Sequence, residues 1–109
     1  MKNLLMISVD DLFSYQKFRT KFGVTIDTPN FDRLAAMGTT FDAAYATTPK
    51  CSPSRATVLS GKSLFETQVF SNVESWDDRL NPGDMMPAAL DNAGYWTANV
   101  GKVLHPSAV

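Results

Sequence analysis

Leu4-Leu5-Met6-Ile7-Ser8-Val9 is a nearly continuous apolar run that stops abruptly at Asp10-Asp11. A strand apolar on both faces belongs inside a parallel sheet with helices on each side. Acids directly after such a strand put carboxylates at the carboxyl edge of the sheet, where open α/β folds bind ligands. The run is far too short to span a bilayer, so no membrane partner is expected. The acids also follow too soon for a secretory signal, and the expected location is cytoplasmic.

The other elements alternate in type. Thr28-Pro29 starts a helix, with Thr28 as N-cap and Pro29 at the first helical position. Phe31, Leu34, Ala35 and Gly38 follow as a stripe, and Gly38 suits the residue just past the helix end. Thr39 to Ala46 reads as a strand. Ser52-Pro53 opens a short helix over Arg55 to Ser60, stopped by Gly61. Lys62 to Gly83 has no clean period and reads as a long irregular segment, in which Phe65, Phe70 and Trp76 are expected to pack. Met86-Pro87 begins another helix, stopped by Gly94, and Tyr95 to Val100 is a further strand candidate. This order argues for an α/β architecture with a mainly parallel central sheet flanked by helices.

Composition excludes several classes. The 109 residues allow one small domain at most. Ten Lys and Arg stand against eleven Asp and Glu, so no basic excess exists to neutralise nucleic acid. The single cysteine rules out an intramolecular disulfide framework.

That cysteine lies in Cys51-Ser52-Pro53-Ser54-Arg55, just before a predicted helix start, where negative charge is favoured. Arg55 stands within reach of an anion held there, as guanidinium groups hold tetrahedral oxyanions. The residues alone equally allow a buried free thiol and a surface arginine. A phosphatase loop of the Cys-x5-Arg kind is excluded, because only three residues intervene and one is proline. Asp10 and Asp11 read on their own as paired acids at the ligand edge of the sheet or as a solvated turn. Lys102 and His105, the one histidine, read on their own as ordinary exposed or structural residues after a strand.

Taken together these residues resemble the formylglycine-dependent sulfatase family, within the alkaline-phosphatase-like superfamily. Cys51-Ser52-Pro53-Ser54-Arg55 resembles its Cys-x-Pro-x-Arg signature. Ile7 to Leu12 resembles its first strand and metal-binding pair, and Thr28 to Ala35 its next helix. Phe41 to Tyr45 resembles the strand before the signature, and Ser60-Gly61-Lys62 the end of the signature helix. Gly94 to Thr97 and Val100-Gly101-Lys102 resemble the strand that delivers an active-site lysine. Two residues separate Lys102 from His105, with Pro106 following, a pattern similar to the iduronate-2-sulfatase branch.

The resemblance implies a partial sulfatase-like α/β sandwich, with residues 1–109 as the N-terminal portion of a larger catalytic domain. It implies that Asp10, Asp11 and Cys51 ligate a divalent metal, Ca2+ by family habit. Cys51, converted to formylglycine by a maturation enzyme, would attack sulfur as the hydrated aldehyde and release sulfate by elimination. Arg55 would hold the modified side chain, Lys102 would bind sulfate oxygens, and His105 would bind an oxygen or exchange a proton. The substrate would be a sulfate ester, with sugar sulfates favoured. The rest of the family's metal site lies further along the chain than residue 105. Two other readings stand beside this one: a phosphonate or phosphate monoester hydrolase using the same nucleophile, and a truncated non-catalytic domain that self-associates through uncovered sheet surface.

Overall fold

A computed structural model describes residues 2–12, 20, 23 and 25–105. The chain forms two compact units, Met1–Ala44 and Tyr45–Val109.

In the first unit the predicted helix is present as α1, Pro29–Met37. Pro29 fits at its start because the first amides of a helix have no partner in any case. Thr28 occupies the cap position without a side-chain cap bond, and its carbonyl accepts from Asp32 N–H at 3.0 Å. Gly38 is extended (φ −143°) rather than left-handed, so the expected glycine stop is not what ends this helix. The apolar stripe is not covered: no residue of α1 is buried, and Leu34 is 64% exposed. Leu4, Leu5, Met6, Ile7 and Val9 are each at least 51% exposed. No strand forms among the described residues, and the three predicted strand segments run without regular pairing. A strand leaves half its backbone groups open until a neighbour supplies partners, so an apolar run alone cannot make one. Asp11, at the end of the first run, is in the left-handed region at φ 56°.

The second unit has a core. Helix α2 spans Cys51–Ser60, starting earlier than the expected Arg55, with Lys50 rather than Ser52 as its N-cap residue. Pro53 is tolerated there because it falls within the first turn. Gly61 ends the helix in the left-handed region at φ 66°, as expected, and its N–H bonds the Thr57 carbonyl. Ala56 and Leu59 from α2 pack with Val69, Leu80 and Met85, and Trp76, Met86, Val103 and Leu104 close around them. The segment 62–83 is not structureless. It holds a one-turn helix α3, Leu64–Thr67, and a 3-10 turn, Pro82–Asp84. Helix α4 follows over Met86–Asn92, and both α3 and α4 pack on α2. Of the three aromatics expected to pack, Trp76 does, whereas Phe65 is 81% exposed and Phe70 is exposed.

Helix α3 exists because of a reciprocal cap. Ser63 Oγ accepts from Glu66 N–H, and Glu66 Oε2 accepts from Ser63 N–H at 2.9 Å and from its hydroxyl at 2.7 Å. The hydrogen bonds from the Ser63 side chain, then from its backbone, hold the Glu66 carboxyl below its ordinary 4.5. A depressed carboxyl pKa gives stability that is complete above the ordinary value and lost as pH falls through the folded one. The Ser63 amide proton is therefore expected to titrate with a midpoint below 4.5 in an NMR pH series. Gly61→Ala is expected to lower the urea midpoint by the equivalent of about 1–2 kcal/mol, from its left-handed backbone alone. Nothing lies within 4 Å of a Cβ there, so packing adds no further cost.

Candidate active site

Cys51 is the first residue of α2 and is half-buried, while Ser52 beside it is 2% exposed. Helix starts leave amides without intrahelical partners. Here the count is short: Pro53 has no N–H, and Ser54 N–H already bonds the Lys50 carbonyl at 3.1 Å. Ser52 N–H donates to Asn72 Oδ1 at 2.9 Å. The Cys51 N–H is thus the amide of this turn left without a protein partner among the described residues. It lies at the helix end whose partial positive charge favours anions. The loop entering the turn is pinned by Thr47 Oγ1 and Thr57 Oγ1, 2.8 Å apart, with Thr57 Oγ1 also donating to the Ser54 carbonyl at 2.9 Å.

Arg55 lies one turn further along α2. Its Nη1 donates to the Lys102 carbonyl by a very short bond and to the Val103 carbonyl at 3.4 Å. Val103 and Leu104 pack on the core, and Trp76 Nε1 donates to the His105 carbonyl at 3.1 Å. Three independent contacts thus hold the backbone of residues 102–105 in the unit that carries Cys51. Lys102 is exposed there and His105 half-buried. Four of the sequence-predicted residues, Cys51, Arg55, Lys102 and His105, share the second unit.

Asp10 and Asp11 are exposed residues of the first unit. Among the described residues no group of three or more His, Cys, Asp or Glu is arranged to hold a metal. The donor chemistry still suits a hard cation, since both acids offer carboxylate oxygens on consecutive residues. The backbone at Asp11 is left-handed, a region that Asp enters more readily than most residues with a Cβ. The two acids therefore fit part of a hard-cation site and do not complete one.

Sequence reasoning missed Asn72 and Glu74 and gave Trp76 a packing role without its hydrogen bond. All three lie in the segment without a period; Asn72 and Trp76 bond residues 20 and 29 positions away, and Glu74 bonds amides three and four residues back. The available signal was weak: a half-buried Trp N–H generally needs a partner.

The sulfatase family model matches residues 2–105. This chain belongs to the sulfatase family. It is 37% identical to a sulfatase of Formosa agariphila over 94% of its own length and 21% of the relative's. It is 34% identical to the iduronate 2-sulfatase of Mus musculus, over 95% of the chain and 18% of that protein. It is 36% identical to an N-acetylglucosamine-6-O-sulfatase of Bacteroides thetaiotaomicron, over 92% of the chain and 17% of that protein. The chain thus spans about a fifth of the length of these curated sulfatases. No solved structure matches it.

Replacing Arg55 by Ala should free the 102–105 segment. The expected loss is about 1–3 kcal/mol in urea unfolding, the range for hydrogen bonds from charged groups. The His105 imidazole resonances should narrow as the segment gains motion.

Proposed function

We propose that this chain carries the nucleophile-bearing part of a sulfuric ester hydrolase, with Cys51 as the residue converted to formylglycine. The observation that carries the reading is the Arg55 bond to the Lys102 carbonyl, which keeps the signature helix and the lysine-histidine segment together. Formylglycine, once formed and hydrated, supplies an oxygen nucleophile that a thiol cannot replace. The residues around it bind and orient. The Cys51 amide and the Lys102 ammonium would bind the anionic sulfate and lower the cost of charge as it builds on the ester. His105 holds a sulfate oxygen or a proton of the nucleophile. Arg55 spends hydrogen bonds on main-chain carbonyls, so its part includes positioning as well as charge.

Asp10 and Asp11 would hold the divalent cation, Ca2+ by the family resemblance, together with ligands from outside the described residues. The apolar segments 4–9 and 95–100 are each proposed to be a strand of the α/β sheet in the longer protein. The substrate is proposed to be a sugar sulfate, supported by the names of the relatives, two of which act on sulfated sugars by title. Sulfate is favoured over phosphate for the same reason. A second reading, association of copies of the chain, is favoured by the exposure of Leu5 (82%) and Ile7 (73%).

Co-expression with a formylglycine-generating enzyme and intact mass spectrometry test the main reading. The expected result is replacement of the Cys51 thiol by an aldehyde that reacts with hydrazide, and no change in Cys51→Ala. A thiol that persists under those conditions overturns it. Light scattering should show concentration-dependent association, reduced by Leu5→Lys with Ile7→Lys.

A further inference from the structure

A single turn in the second unit touches both arms of the candidate site. Thr67 and Val69, each 0% exposed, anchor its entry, and Trp76 packs on the core at its exit. Between them the Glu74 carboxylate accepts from Phe70 N–H at 2.5 Å and Ser71 N–H at 3.0 Å, which ties the turn closed. From this locked turn Asn72 Oδ1 accepts the Ser52 N–H at 2.9 Å, next to Cys51. Four positions on, Trp76 Nε1 donates to the His105 carbonyl at 3.1 Å. Both bonds grip main-chain atoms of the site and use no atom of the Cys51 or His105 side chain.

Ser52 is 2% exposed, so water cannot readily replace Asn72 as partner of its amide. That bond fixes the direction of the first turn of α2, and with it the base of the Cys51 side chain. The indole bond does the same for the base of His105. Because Glu74 fixes the turn's shape, the two bases are set by one element.

We propose that Asn72 and Trp76 are positioning residues, which through the Glu74-tied turn hold the Cys51 end of α2 and the His105 backbone in register. The inference rests on the reading of Cys51 and His105 as groups of the sulfate site.

The chain has one cysteine and one histidine, so alkylation reads Cys51 alone and imidazole resonances read His105 alone. The experiment uses the full chain in its thiol form, with Asn72→Ala, Asn72→Asp and Trp76→Phe. In Asn72→Ala the Ser52 amide should exchange about tenfold faster, the loss of one buried hydrogen bond. The Gly61 amide at the other end of α2 should keep its wild-type rate, and the rate of Cys51 alkylation at one fixed pH should change. Asn72→Asp retains the acceptor and should restore Ser52 protection. Trp76→Phe removes the donor and should shift or narrow the His105 imidazole resonances at fixed pH as the backbone there is released. The proposal is overturned if Ser52 and Gly61 accelerate together, if Asn72→Ala is alkylated at the wild-type rate, or if the His105 imidazole resonances of Trp76→Phe overlay those of the wild type. Should Asn72→Ala fail to fold, Asn72→Asp decides, with Ser52 protection kept supporting the proposal and lost overturning it. None of these measurements involves formylglycine or a sulfate ester, so their failure is separate from failure of the mass test.

Discussion

The second unit depends on a guanidinium laid across a peptide backbone. Arg55 donates to the carbonyls of Lys102 and Val103 and so joins a helix to a segment nearly fifty residues away, without regular pairing between them. Both bonds leave one nitrogen, Nη1, which thereby addresses two consecutive carbonyls. Behind it the buried side chains are few: Ala56, Leu59, Val69, Leu80 and Met85. With so small a core, polar contacts to main-chain atoms carry an unusual share of the arrangement. Where that arrangement places groups with chemistry, it does so by holding their backbone rather than their side chains.

Helices were legible in the sequence because their signals are local. Pro29, Pro53 and Pro87 each fall in the first turn of a helix, and Gly61 and Gly94 each take the positive φ that a stop requires. The errors were local as well. The Ser52-Pro53 pair looks like a cap and first residue, yet the helix begins at Cys51, because Asn72 takes over the capping role from elsewhere. Gly38 has the right type and position for a left-handed stop and instead continues extended. The sheet is a different matter. Residues 4–9 have the pattern of a buried strand, but pattern describes what a segment suits, and pairing needs a second segment in place.

The candidate site was legible in its groups and not in its supports. Cys51, Arg55, Lys102 and His105 stand out by residue type, spacing and family resemblance. Asn72, Glu74 and Trp76 do not, because an asparagine in an irregular stretch is indistinguishable from an ordinary turn residue until its acceptor is seen against Ser52. Asp10 and Asp11 were legible as a pair of hard donors, and the left-handed backbone at Asp11 is a feature that sequence could not have supplied.

The spacing of these contacts along the chain also sets an order of assembly. The Ser63–Glu66 cap closes over 3 residues, the Asn72 bond to the signature helix over 20, the indole bond over 29 and the Arg55 clamp over 47. Loop closure grows dearer with length, though slowly, so the short contacts can form as soon as their residues leave the ribosome. The clamp must wait until Lys102 and Val103 have been synthesised. A nascent chain that has just released Cys51 therefore carries an uncapped helix start only until Asn72, 20 residues beyond Ser52, has followed, whereas the placement of residues 102–105 is among the last things this unit acquires.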